Sequence, residues 1–232
     1  MTTQPSSHSW PPTSAFAPLA VLVSGGLDSA VLLAEATRSY PAVYPLYVRT
    51  GLFWEAVEQA YLERFLTEIR SPALRPLVSL DQPVTDLYGT HWSLTGVDVP
   101  AAGTPDEDVF LPGRNVLLLA KPLLWCHLHR VPEIALAPLA VNPFPDATPE
   151  FFEQFSGAVN RSVGGSVRVI RPYCDLHKTE VIQRGARLPL EHTFSCIRPA
   201  AGLHCGQCSK CHERRVAFRS AKVPDPTAYA SG

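Results

Sequence analysis

The feature that most constrains the fold is a glycine turn between two apolar segments. Leu19–Val23 is a continuous apolar run, Ser24-Gly25-Gly26 interrupts it, and after Asp28-Ser29 the apolar residues return at helical spacing. The pattern predicts a buried strand, a tight loop and the start of a helix. Because paired glycines let a ligand approach the backbone and helix N-terminal amides attract anions, this loop favours a phosphate.

The residues that follow the loop exclude one class of phosphate-binding motif. No Gly-Lys-Ser or Gly-Lys-Thr comes after the glycines, so the loop is not a Walker A motif. An ordinary strand-to-helix turn, with Asp28 as the helix N-cap, is the alternative interpretation of the same residues.

The composition of the chain limits the classes of protein it can be. Its 232 residues are enough for a sizeable core, and its 20 basic and 21 acidic side chains argue against a broad nucleic-acid-binding surface. No apolar run is long enough to span a bilayer, and residues 1–7 lack the basic and apolar parts of a signal peptide. We therefore expect a cytoplasmic protein with no membrane and no stable nucleic-acid partner; a homodimer stays open.

Strand and helix patterns alternate between residues 16 and 190, which we expect to form one α/β domain. Further strands are predicted at residues 42–49, 74–80, 133–137 and 167–170, with helical spacing between most of them. This alternation predicts a doubly wound, mostly parallel sheet with helices on both faces, whose ligands bind beyond the carboxyl ends of the strands. Residues 1–15 are predicted to be a loose arm, and residues 81–112 a long excursion.

Four of the six cysteines cluster near the end of the chain, at Cys196, Cys205, Cys208 and Cys211. In a reducing compartment this spacing favours metal over disulfides, and four thiolates suit a tetrahedral zinc ion with no position left for a substrate. The cluster therefore predicts a structural zinc site in a small C-terminal region, residues 191–232. An iron–sulfur cluster also takes four cysteines, so the spacing leaves that alternative open.

The loop and the cysteines together resemble a known family. Ser-Gly-Gly-x-Asp-Ser is similar to the pyrophosphate loop of ATP pyrophosphatases, which split ATP between its α and β phosphates and have an adenine-nucleotide α-hydrolase-like fold. From about residue 19 to Tyr229 the chain resembles the 7-cyano-7-deazaguanine synthases. The matching stretches are residues 23–33, Leu111-Pro112-Gly113-Arg114-Asn115, Phe144-Pro145-Asp146, Leu176-His177-Lys178, and Thr193-Phe194-Ser195-Cys196 through Cys211 to Arg214.

This resemblance implies an ATP-dependent ligase of the queuosine pathway that uses Mg²⁺. The carboxylate of 7-carboxy-7-deazaguanine attacks the α phosphate of ATP, and ammonia then displaces AMP to give an amide. A second ATP activates the amide, and loss of AMP leaves the nitrile of 7-cyano-7-deazaguanine. Ammonia is expected free or from a partner, because the sequence has no recognisable glutaminase region.

A candidate site follows from the resemblance and from residue chemistry. The nucleotide is expected on Val23, Ser24, Gly25, Gly26, Leu27, Asp28, Ser29 and Ala30. Catalysis is assigned to Ser24, Asp28, Ser29, Arg114 and Lys178. The loop residues are expected to bind the departing pyrophosphate, and Arg114 and Lys178 to contact phosphate. Asp28 either holds Mg²⁺ or caps the helix. Arg49, Phe144 and Asp146 are candidates for contacts with the base. Alternatively, Arg49 is a solvated surface cation, Phe144 packs in the core and Asp146 is a turn residue.

Two stretches differ from the usual pattern of the family. Residues 49–55 are Arg-Thr-Gly-Leu-Phe-Trp-Glu, where the family commonly has Gly-Gln-Arg-His and then a carboxylate, and residues 140–148 keep only the Phe-Pro-Asp of a longer motif. Both are expected near the base. Two alternatives therefore stay open: a sister enzyme that adenylates a different carboxylate, amide or nucleobase, and a non-catalytic zinc module that binds nucleic acid.

Overall fold

The computed structural model describes residues 17–140 and 142–230, so the arm predicted for residues 1–15 lies outside the described residues. Within these ranges the strands are β1 (Leu19–Val23), β2 (Val43–Arg49), β3 (Val78–Asp81), β4 (Glu133–Ala135) and β5 (Arg168–Ile170). The α-helices there are α1 (Leu27–Ser39), α2 (Glu55–Glu68), α3 (Thr85–Tyr88), α4 (Trp92–Thr95), α5 (Arg114–Leu128), α6 (Pro149–Val163), α7 (Lys178–Arg184) and α8 (Ser209–Ala221). Short 3₁₀ helices occupy Asp106–Val109, Pro145–Ala147 and Leu190–His192.

The described strands form a single sheet in the order β3, β2, β1, β4, β5, and every neighbouring pair is parallel. The strand order reverses beside β1, because the chain leaves β3 at one edge and returns to the other side of β1 as β4. In such sheets a crevice opens beyond the carboxyl ends of the strands at the point of reversal. The predicted parallel sheet is confirmed, and the loop at residues 24–29 lies at this crevice.

Helices cover both faces of the sheet. Leu19, Val21 and Val23 of β1 are buried in one core cluster with residues of α1, α7 and α8, whereas Ala20 is buried in a second cluster with residues of α5 and α6. Side chains alternate between the faces along a strand, so a continuous apolar run is the pattern expected of a strand covered on both sides. The sequence pattern of β1 and its observed burial agree.

The excursion at residues 81–112 is more regular than the sequence predicts. It contains α3, α4 and a 3₁₀ turn, and Val84 and Leu111 are buried in a third core cluster that also holds Trp54 and the four clustered cysteines. Helices of four residues complete about one turn, which is too short to produce a recognisable apolar period. The sequence pattern therefore predicts the excursion but not the two short helices within it.

The C-terminal helix packs into the main core. Ala217, Phe218 and Ala221 of α8 belong to the same cluster as β1 and α1. The cysteine-containing region is thus joined to the sheet by apolar packing as well as by the chain. No helix in the described ranges is long and apolar enough to cross a membrane.

Candidate active site and metal centre

The loop between β1 and α1 is held by its own serines. Ser24 N–H donates to Ser29 Oγ at 3.2 Å, and Ser29 Oγ donates to Gly26 O at 3.1 Å. Gly25 has a φ of +69°, and a Cβ there would come within 3.0 Å of Glu58 Cγ and Glu58 O, so the position favours glycine. Gly26 is the N-cap of α1 and no side chain caps it, which leaves the first amides of the helix for an anion.

The loop forms one wall of a cavity of about 230 Å³ beyond the carboxyl ends of β1, β2 and β4. The start of α2, the start of α5 and the segment after β4 form the other walls. The predicted nucleotide-binding residues that line the cavity are Val23, Ser24, Gly26, Asp28 and Ser29. Leu27 and Ala30 are buried in the core instead.

Asp28 and Lys178 form an ion pair at the edge of this cavity. Lys178 Nζ donates to Asp28 Oδ2 at 2.6 Å, and both side chains are about a quarter exposed. Asp28 Oδ1 is buried and has no hydrogen-bond partner among the described residues. Because Gly26 occupies the N-cap position, Asp28 lies in the first turn of α1 and does not cap the helix. A buried, unpartnered carboxylate oxygen beside an anion-binding loop fits a Mg²⁺ ion that accompanies a phosphate.

Glu58 and Tyr47 are cavity residues that sequence reasoning missed. Tyr47 OH donates to Glu58 Oε2 at 2.8 Å across the gap between β2 and α2. Burial raises the pKa of Glu58 to about 7, although the hydrogen bond from Tyr47 and the charge of Arg114 act in the opposite direction. The available signal was the pair Glu55 and Glu58, which are three residues apart and so share a face at the start of the helix after β2.

Arg114 is the first residue of α5 and lines the cavity, and Asp146 helps to fix the start of that helix. Asp146 is buried, and its Oδ2 accepts the backbone N–H of Asn115 at 2.9 Å. The amide of the Asn115 side chain donates to Asp146 O at 2.9 Å. The two stretches that the sequence separates widely, Pro-Gly-Arg-Asn and Phe-Pro-Asp, are therefore brought together.

None of the three residues predicted to contact the base, Arg49, Phe144 and Asp146, lines the cavity. Arg49 pairs with Asp81 at 2.7 Å at the end of β2 and β3, and both side chains are largely exposed. Phe144 stacks on Phe110 with a centroid separation of 5.0 Å. Their assignment to the base, like that of Asp146, stays a prediction.

The four clustered cysteines lie together and are all buried. The sulfurs of Cys196 and Cys208 are 3.8 Å apart, those of Cys205 and Cys211 are 3.9 Å apart, and all four lie within 4.8 Å of one another. A tetrahedral ion with metal–sulfur distances of about 2.3 Å holds its thiolates about 3.8 Å apart. The donor set therefore fits one metal ion better than a cluster in which each cysteine binds a separate iron.

Backbone amides and a neutral histidine surround the thiolates. The N–H groups of Cys205 and Arg198 donate to Cys196 Sγ at 3.3 Å. His204 is fully buried and its Nε2 accepts the N–H of Ser195 at 3.1 Å, while burial and the nearby Arg214 lower its pKa to about 3. The hydrogen bond from Ser195 occupies the Nε2 of His204, which agrees with ranking the histidine below the cysteines as a ligand.

Arg214 connects the cysteine-containing region to the loop at residues 24–29. This buried side chain of α8 donates to Leu190 O at 3.0 Å and to Thr193 Oγ1 at 2.9 Å. Next to Thr193, the N–H of Phe194 donates to Gly25 O at 2.8 Å. Residues 190–196 therefore lie between α8 and the loop and contact both.

Comparison with known proteins agrees with the motifs. The chain matches the family described as "Queuosine biosynthesis protein QueC" over residues 19–222. It is 32% identical to a 7-cyano-7-deazaguanine synthase of Nitrosomonas eutropha and 34% identical to one of Xanthomonas oryzae pv. oryzae, each over 90% of this chain and 96% of that protein. Among solved structures, an NMN synthetase from Francisella tularensis aligns with a TM-score of 0.43 and 12% identity over 89% of this chain and 78% of that one, too distant to bear on function. The chain belongs to the QueC family, the 7-cyano-7-deazaguanine synthases.

Proposed function

We propose that this chain converts 7-carboxy-7-deazaguanine and ammonia to 7-cyano-7-deazaguanine, with two ATP molecules split to AMP and pyrophosphate. The observation that carries the proposal is the cavity at the strand reversal. There, a glycine loop with free helix amides lies beside an aspartate oxygen that has no partner among the described residues. A site of this kind favours release of a pyrophosphate anion together with its cation.

The loop supplies the donors for pyrophosphate. Ser24 and Ser29 line the cavity beside the uncapped start of α1, and Lys178 adds a positive charge beside Asp28. Asp28 Oδ1 would hold Mg²⁺, which when bound neutralises charge on the phosphates. Arg114 reaches the same cavity from α5, and its planar guanidinium suits the α phosphate.

The reaction needs two adenylations at one place. A carboxylate oxygen of the substrate bonds to the α phosphorus and pyrophosphate leaves; the nitrogen of ammonia then bonds to the carbonyl carbon and AMP leaves. The oxygen of the resulting amide bonds to the α phosphorus of a second ATP and pyrophosphate leaves; AMP then departs with that oxygen as the nitrogen loses its two protons and the C≡N bond forms. Arg49, Phe144 and Asp146 are the candidate contacts for the deazaguanine.

The metal centre has a structural part in this proposal. Four protein thiolates complete a tetrahedral shell and leave no position for a substrate, so a zinc ion at Cys196, Cys205, Cys208 and Cys211 would stabilise the fold. Free ammonia is the nitrogen source in the proposal. The cytoplasmic location and the homodimer stay predictions.

The test is to incubate the metal-replete protein with ATP, Mg²⁺, ammonia and 7-carboxy-7-deazaguanine and to measure AMP, pyrophosphate and nitrile. The proposal expects all three, and it expects Ser29→Ala to lower the rate about 100-fold, because Ser29 Oγ holds the loop that presents donors to the leaving group. Ser39→Ala, at the exposed end of the same helix, is the matched control. AMP formation with a different carboxylate and none with this one would favour a sister enzyme, and RNA binding without ATP turnover would favour a zinc module.

A further inference from the structure

Glu58 is a carboxyl group in the cavity wall that binding of ATP does not use. It lies in the first turn of α2 and accepts the hydrogen bond from Tyr47 at 2.8 Å. Its side chain lies against the phosphate-binding loop, since a Cβ on Gly25 would come within 3.0 Å of Glu58 Cγ. Glu58 is therefore beside the place where the adenylates would form.

The proposed reaction must dispose of protons at nitrogen. Adenylation of a carboxylate transfers no proton, because one oxygen bond replaces another at phosphorus. Attack of ammonia on the acyl adenylate forms the C–N bond, expels AMP and releases one N–H proton. The adenylated amide then loses its remaining two N–H protons as AMP departs and the triple bond forms. The nitrogen-centred steps thus need a proton acceptor, which the adenylation steps do not.

The other acidic and phenolic groups of the cavity are already engaged. Asp28 is paired with Lys178, and Oε2 of Glu55 accepts the backbone N–H groups of Thr50 and Gly51 at the turn after β2. Burial, together with the negative charges of Glu58 and Glu55, raises the pKa of Tyr47, so the phenol stays protonated and acts as a donor. Among the described contacts, the Glu58 carboxyl group receives hydrogen bonds only from the neutral side chains of Tyr47 and Trp54, so it is the carboxyl group best placed to take up a proton.

We propose that Glu58 is the catalytic base that takes the protons from nitrogen in amide formation and in nitrile formation. The inference rests on the proposed function and adds to it a residue that acts in the proton-transfer steps and not in adenylation.

The surroundings of Glu58 suit a base that works near neutrality. The groups that face it are Tyr47 and Trp54, which hydrogen-bond to it, Arg114 from α5, and Glu55 one turn before it on its own helix. Burial is the largest influence and raises the pKa of the carboxyl group to about 7. A base whose pKa lies near the working pH combines a useful population of its charged form with a strong affinity for the proton.

The experiment compares Glu58→Gln with the wild-type enzyme in two assays. One assay is ATP–pyrophosphate exchange driven by the carboxylate substrate, which involves no proton transfer. The other is conversion of the synthetic amide to the nitrile, which needs no ammonia and so avoids the titration of ammonia itself. We expect exchange within about threefold of wild type and nitrile formation about 100-fold slower or more, the usual contribution of general acid–base catalysis.

The pH profile adds a readout that a structural effect would not give. Wild-type nitrile formation should fall as the pH drops below about 7, with Glu58→Gln showing no such titration. The hydrogen bond from Tyr47 lowers the pKa of Glu58, so Tyr47→Phe should move the midpoint to higher pH. Glu58→Asp keeps the carboxyl group and should recover part of the rate.

Glu63→Gln is the matched control, because Glu63 is an exposed residue of the same helix whose carboxylate accepts only from Gln59 among the described hydrogen bonds. Nitrile formation by Glu58→Gln at the wild-type rate would overturn the inference. So would an equal loss in both assays, which would place Glu58 in adenylation or folding. Absence of carboxylate-driven exchange in the wild type would overturn the proposed function itself, and the inference with it.

Discussion

At the scale of single residues, two carboxylates of one cavity have opposite surroundings. Asp28 has the ammonium group of Lys178 at 2.6 Å, which balances its charge. Glu58 has a phenol at 2.8 Å and the more distant Arg114, and these offset only part of its desolvation. Asp28 is therefore suited to binding a cation, whereas Glu58 is suited to binding a proton.

Glu58→Gln should stabilise the protein at alkaline pH. The folded-state pKa of Glu58, about 7, lies above its ordinary value of 4.5, so the folded protein binds this proton more tightly than the unfolded chain does. The stability from that proton is present below the ordinary pKa and is lost as the pH rises through the folded pKa. We expect the variant to melt roughly 9 °C higher than wild type at about pH 8, with the difference shrinking toward about pH 5.

Thermal unfolding followed by circular dichroism across that pH range measures this effect. Glu63→Gln, on the exposed side of α2, should show no comparable dependence on pH. A stability difference for Glu58→Gln that stays constant with pH would contradict the raised pKa.

At the scale of elements, α8 fixes the segment that supports the loop at residues 24–29. Arg214 is 2% exposed and its guanidinium donates to Thr227 and Ser195 as well as to the backbone of Leu190. Lysine cannot reproduce this fork of donors, because its ammonium is a single point charge on a flexible stem. The buried acceptors would then lose their partners.

Arg214→Lys should therefore lower the melting temperature by roughly 8 °C, which corresponds to about 3 kcal/mol in a chain of this size. Since Phe194 holds Gly25 through a backbone hydrogen bond, we also expect slower ATP–pyrophosphate exchange. Arg219→Lys, an exposed change on the same helix, is the control for both measurements. Unfolding of the Arg214 variant at the wild-type temperature would show that the fork is dispensable.

Local patterns explain what was predictable in these elements. The strand β1, its loop and the four cysteines were predicted because each is encoded in neighbouring residues. Glu58 was missed because its position against Gly25 arises only when α2 packs beside the loop. Arg214 was identified only as the end of a motif that matches the family, since nothing in the sequence of α8 indicates that the side chain contacts residues 190–196.

At the scale of the whole molecule, the cysteine-containing region and the sheet form one packed structure. Cys196 and Cys205 are buried with Trp54 and Leu111, so the cysteines pack against the start of α2 and the excursion at residues 81–112. Phe218 of α8 is buried with β1. The sequence predicts a separate C-terminal region from residue 191. Whether this region unfolds independently of the sheet is therefore decided by the number of unfolding transitions.

Removal of the metal should destabilise the entire protein in one step. Four buried thiols without an ion would lose the bonds that hold residues 196–211 together, and the packing of α8 on the sheet transmits that loss to β1. We expect a strong chelator to lower the melting temperature by more than about 10 °C, in a single transition seen alike by far-ultraviolet circular dichroism and by tryptophan fluorescence.

Cys208→Ser should reproduce the effect of the chelator without any chelator present, because three thiolates bind the ion less tightly than four. Cys174→Ser removes a thiol outside the cluster and is the matched control. Metal content measured on each protein should fall only for Cys208→Ser. Two separate transitions after chelation would favour an independent C-terminal domain from residue 191. An unchanged melting temperature would contradict a structural metal. The shared core predicts a single transition at a lower temperature.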